Sequence, residues 1–131
     1  MAKLTDDMKS LLAGRQVFVG TAGADGRPSI AMKGSSQLMD DEHITFFELA
    51  GGRTWQNIQK NPHVAIVVAD WGKMKGYRFE GKVEENITSG PLYDEAKKLA
   101  ELMKIPVPPK AAVKVKIEEI YNLGKGGMKV S

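Results

Sequence analysis

The chain has 131 residues, with 19 basic and 16 acidic side chains, a formal net charge of +3, two histidines and no cysteine. That is enough chain for one soluble domain around one core, and too little for two. The lack of cysteine excludes disulfide frameworks, thiolate metal centres and cysteine nucleophiles, and with only His43 and His63 available no histidine-built metal site is expected.

Thr5 caps a short helix predicted over Asp6 to Ala13, with Met8, Leu11 and Leu12 at helical spacing and Gly14 as its stop. Lys3, Asp6, Asp7 and Lys9 interrupt the apolar residues there, so no targeting segment is expected. No apolar run is long enough to span a bilayer, and a cytoplasmic protein without a membrane partner is the expectation. The period then changes from helical to alternating. Arg15 to Ala22 and Pro28 to Lys33 read as a hairpin around Gly23-Ala24-Asp25-Gly26. Met39 to Glu42 reads as a turn into a third strand, His43 to Leu49, with Phe46, Phe47 and Leu49 to bury. Gly51-Gly52-Arg53-Thr54 opens a short helix with Trp55 and Ile58 on its inner face, ended at Asn61-Pro62.

Val64 to Ala69 is a continuous apolar run, the pattern of a strand buried on both faces. Gly76 to Glu85 alternates, with Tyr77, Phe79, Gly81 and Val83 on one side. A helix is predicted over Pro91 to Met103, its inner stripe being Leu92, Ala96, Leu99, Ala100 and Met103. Ile105 to Pro109 forces an extended connection into a last strand, Ala111 to Tyr121, and the glycine-rich tail from Gly124 to Ser131 reads as irregular. Six strands joined by tight turns and returning across helices predict one mainly β domain over residues 1–131, an antiparallel Greek-key barrel with flanking helices.

The stretch richest in chemistry is Leu49 to Thr54. Two glycines let a bound group approach the backbone, free amides in the first helical turn favour an anion, and Arg53 offers a bidentate fork. This suits a phosphate monoester, although Gly-Gly-Arg turns also occur for purely structural reasons, and the spacing is not that of a P-loop. Lys33 ends an apolar strand and requires either an exposed edge or a partner. Glu48, at a strand end, is expected to be solvated, and His43 and His63 to be structural. Basic residues are spread thinly except for Lys110, Lys114, Lys116, Lys125 and Lys129, and Lys114 and Lys116, alternating with Val113, Val115 and Ile117, read as the solvated face of a strand. With 7% aromatic residues and nearly balanced charge, a nucleic-acid-binding barrel is the least favoured class.

The ordered series Gly26 to Gly34, Ile44 to Phe47, Gly52-Arg53-Thr54 through Asn61 to Val68, and Tyr77 to Glu84 resembles the pyridoxamine 5′-phosphate oxidase-like FMN-binding split barrels, and within them the small flavin-nucleotide-binding proteins. The resemblance runs from about Val17 to Glu84. It implies a six-stranded split barrel binding FMN between the two subunits of a homodimer. On that resemblance Arg53 falls on the phosphate-binding arginine, Thr54 where the oxidases have a lysine, and Gly52 at the turn before them. Lys33 falls on the lysine beside the flavin, Phe47, Glu48 and Leu49 run along the isoalloxazine, and Ala31 and Met32 line the same groove. Trp71 and Lys125 are the candidates for reaching the other subunit's site.

Two departures accompany the resemblance. No arginine or histidine follows Met103, so the substrate-holding pair of the true oxidases is absent, and Pro28 and Ser29 replace a second phosphate-binding arginine. The expectation is therefore an FMN-dependent oxidoreductase or electron-transfer protein acting on an unassigned small molecule. No catalytic side chain or metal is required of it, because the cofactor carries the redox chemistry. A deazaflavin-dependent reductase of the same fold and a non-enzymatic flavin carrier or sensor are the alternatives.

Overall fold

The computed structural model describes residues 2–14 and 16–131; Met1 and the expected strand start at Arg15 lie outside the described residues. The element order is α1 (Asp6–Ala13), β1 (Val17–Ala22), β2 (Pro28–Met32), β3 (Gln37–Asp40), β4 (His43–Glu48), α2 (Arg53–Lys60), β5 (His63–Asp70), β6 (Lys75–Ile87), α3 (Pro91–Leu102), β7 (Ala111–Asn122) and β8 (Met128–Lys129), with single 3-10 turns at Trp71–Lys73 and Leu123–Lys125. Among the described residues the strand count is eight, not six. The two additions are β3, from residues that precede and overlap the expected turn at Met39, and the two-residue β8 in the glycine-rich tail.

All pairings are antiparallel, in the order β2-β1-β5-β6-β7-β4-β3, with β8 added to β7. The long β6 and β7 turn the corner. β5 pairs with the first half of β6, β4 pairs with the first half of β7, and two register shifts bend β6 against β7 between them. One shift falls at Gly81, where a Cβ would stand 2.2 Å from the Lys116 carbonyl oxygen, so only glycine lets the strands approach there. Val17 and Val19 of β1 share a single core with Ile44 and Phe46 of β4, although these strands lie near opposite ends of the order. The sheet therefore curls around its core as a split barrel whose end strands are β2 and β3. Helix α1 adds Met8 and Leu12 to that core, its start fixed by the expected Thr5 cap, whose hydroxyl accepts from the Met8 amide.

Two burial expectations change. β5 is not buried on both faces: Val64, Ile66 and Val68 are in the core, whereas Ala65, Val67 and Ala69 are only half-buried on the outer face. In α3, Ala96 packs with Phe47 and Ala112 and Ala100 is buried, but Met103 lies beyond the helix end and is exposed. No helix among the described residues is long and apolar enough to cross a membrane.

Candidate functional site

A cleft of about 420 Å³ opens where the ends of β2 and β4, the turn into α2 and the end of α3 converge. Strand alternation decides what β4 contributes. Ile44, Phe46 and Glu48 face into the barrel, while His43, Thr45 and Phe47 face the other way. Glu48 is consequently 1% exposed, not solvated as its sequence position suggests. Lys33 meets it with Nζ 2.7 Å from Glu48 Oε1 and lies 5.9 Å over the Phe46 ring. By distance this is an ion pair, although its angles fall outside those of a hydrogen bond. Of the two possibilities for Lys33, the edge and the partner, the partner is the one found. Beside it, the Phe47 amide donates to Ser35 Oγ at 3.0 Å, which ties the β2–β3 loop to the end of β4.

The other end of the cleft is built from backbone. Gly51 has φ +80°, a conformation that favours glycine, and carries the chain from β4 into α2. Gly52 is the N-cap of α2 and offers no side-chain cap, so first-turn amides remain free of side-chain partners. A Cβ at Gly52 would meet nothing within 4 Å, which places that residue against open space. Arg53 begins the helix and is exposed; Thr54 turns inward and is buried. Helix α2 is held to the barrel by Ile58 in the core and by Asn57 Nδ2 donating to Thr21 Oγ1 at 3.0 Å.

Of the residues expected at the site, Met32, Lys33, Phe47, Glu48, Leu49 and Gly52 line this one cleft, with Arg53 and Thr54 next along α2. Ala31 does not line it, because alternation along β2 turns it away from Met32. Trp71 and Lys125 also lie away from it, in the two 3-10 turns. Their expected role is toward another subunit's site. Leu99, Met103 and Ile105 form an apolar wall that the sequence reading missed: a helical stripe marks Leu99 and Met103 for burial, but only the folded chain brings that helix end to this cleft.

The remaining polar clusters read as structural. His43 is set between Asp40 (Nδ1 to Oδ1, 2.8 Å) and Glu84 (Nε2 to Oε1, 3.2 Å), and Lys114 lies 3.2 Å from the same Glu84 oxygen. The Lys114 ammonium, with His43, outweighs desolvation and holds the Glu84 carboxyl below its ordinary range. Both histidines lie outside the cleft, and no metal-binding cluster occurs among the described residues. A larger hollow of about 590 Å³ on the outer face is floored by residues such as Gly20, Ile30 and Ala65 and edged by Glu80, Glu118 and Glu119. Its carboxylates suit an anion poorly.

Comparison with known proteins gives a consistent picture. The family model of pyridoxamine 5′-phosphate oxidase matches residues 4–124. An uncharacterized protein of Methanocaldococcus jannaschii is 33% identical over 96% of this chain and 85% of its own length. Among solved structures, HupZ of Group A Streptococcus is 34% identical with a TM-score of 0.82, covering 98% of this chain and 99% of its own. A putative pyridoxamine 5′-phosphate oxidase from Lactobacillus delbrueckii is 30% identical with a TM-score of 0.75, covering 92% and 95%. More distant structures share the fold alone: an FMN-binding protein from Syntrophomonas wolfei (20%, TM-score 0.74), an F420 reductase (23%, 0.67) and the heme storage protein HutZ from Vibrio cholerae (14%, 0.61).

Proposed function

The chain belongs to the pyridoxamine 5′-phosphate oxidase family, and from that premise we propose that it binds FMN in the cleft between Lys33 and Gly52, as a homodimer, and works as an oxidoreductase or electron-transfer protein. The observation that carries this reading is the convergence of residues from β2, β4 and the turn into α2 on one cleft with two unlike ends. One end is apolar and walled by Phe47, Leu99 and Met103, with the Lys33–Glu48 pair at its edge; the other is a glycine turn opening onto uncapped amides and Arg53. A planar ring with a phosphate tail needs that division.

The groups present fit the cofactor. Arg53 and the first-turn amides of α2 would hold the phosphate as charge-assisted donors. Lys33 would donate toward the ring edge, and Phe47 and Leu49 would exclude water from one face. Bound flavin supplies the hydride and electron chemistry, so the chain's own task is to bind, orient and keep the site dry.

A deazaflavin shares the ring and a phosphate, and the cleft does not discriminate against it. Among the described residues, no histidine, cysteine or tyrosine lines this cleft to ligate a heme iron. The purified protein's absorption separates flavin from deazaflavin, with bands near ~450 nm for the first and ~420 nm for the second. Titration with FMN then tests the phosphate end: Arg53→Ala should weaken binding by about one to two decades, and unchanged affinity would remove the assignment.

A further inference from the structure

Resting on the FMN reading above, we propose that Lys110 is the second cation of the phosphate subsite and supplies the charge that Thr54 does not bring. Its stem lies directly on the glycine turn: a Cβ built on Gly51 would fall 2.7 Å from Lys110 Cε and 3.2 Å from its Cγ. Glycine at position 51 suits the backbone conformation, and its lack of a side chain leaves the room in which the Lys110 stem lies across the turn.

The backbone at Lys110 is anchored to two elements, the end of β4 and α3. Its amide donates to the Glu48 carbonyl at 2.8 Å, one residue before β7 begins. The preceding Pro109 is buried, and its carbonyl accepts a hydrogen bond from Tyr93 Oη of α3 at 2.7 Å. The proline-rich connection thus delivers Lys110 to one defined place, while its exposed side chain keeps the ammonium available.

Charge distribution supplies the second argument. Lys33 is compensated by Glu48, whereas neither Arg53 nor Lys110 has a carboxylate partner among the described residues. Two uncompensated cations thus flank the turn whose amides are uncapped, and the other end of the cleft is close to neutral. That asymmetry fits a ligand carrying its negative charge at one end.

The test compares FMN with riboflavin, which lacks the phosphate, by fluorescence titration of the flavin-free protein. Lys110→Met should lose about tenfold in FMN affinity and leave riboflavin affinity within about twofold, and Lys110→Arg should keep most of the FMN affinity. Equal losses for both ligands would make Lys110 a packing residue, and no loss for either would make it a bystander; each overturns the proposal while leaving FMN binding standing. A wild-type protein that binds FMN no more tightly than riboflavin would overturn the phosphate subsite itself, and Lys110 with it.

Discussion

Glu48 shows most sharply what a single side chain owes to its register. A glutamate ending a strand beside glycines reads as solvated, yet the alternation that buries Ile44 and Phe46 carries Glu48 inward with them. A buried carboxylate requires compensation, and Lys33, just beyond the end of β2, provides it at 2.7 Å. Lys33→Met should therefore destabilise the protein by about 3 kcal/mol, because the carboxylate is left buried and alone. The double variant Lys33→Met/Glu48→Leu should recover most of that loss. Urea denaturation of the set checks it, and a double variant as unstable as the single one would show that packing, not the stranded charge, sets the cost. Arg53 and its glycines were legible because the motif is local. Lys110 was not, since it reaches Gly51 only through the β4–β7 register and stands in the sequence as a lone lysine after a proline pair.

Among the elements, those with a strong apolar period emerged at nearly their observed bounds, and the ones that escaped are short and edge-like. β3 has four residues, runs straight into Asp40-Asp41 and leaves most of its side chains exposed, so its composition is that of a turn. β8 has two residues among glycines and exists only because β7 is there to pair with it. α2 was legible as a helix, but its open N-terminus is a finding of the structure. Gly52 is extended, at φ −91° and ψ −150°, with room for a side chain, so a capping residue fits without strain. Gly52→Asp should accordingly leave stability unchanged or raise it by a few tenths of a kcal/mol, since its carboxylate would accept from the free amides. The same carboxylate would occupy and repel the phosphate position, and FMN affinity should fall about tenfold or more. Thermal melts and a flavin titration on one sample separate the two effects. A variant that binds FMN as the wild type does would place the anion elsewhere.

At the scale of the whole molecule, the misread burial of β5 carries an argument. Its sequence is apolar on both sides, but within one chain only Val64, Ile66 and Val68 reach the core. The outer side continues across β1 and β2 through Phe18, which pairs with both Val67 and Met32 and is itself exposed. Ile30 and Met32 are 74% and 76% exposed, and Trp71, beyond the end of β5, is 80% exposed. A contiguous apolar face of this kind is uncommon on a protein that stays single. Met32 also lines the cleft, so whatever covers the face reaches the cleft's rim. A second copy is the proposed cover, and it gives Trp71 and Lys125 a route to a cleft that is not their own. Ile30→Asp tests the coupling. Its side chain is exposed, so circular dichroism should be unchanged, while a charge in the apolar face should convert a dimer to monomers in analytical ultracentrifugation. FMN affinity should fall in the same variant although Ile30 does not line the cleft. Monomers that bind FMN as well as the wild type would mean that one barrel makes a whole site, and a wild-type monomer would remove the partner copy from the account altogether.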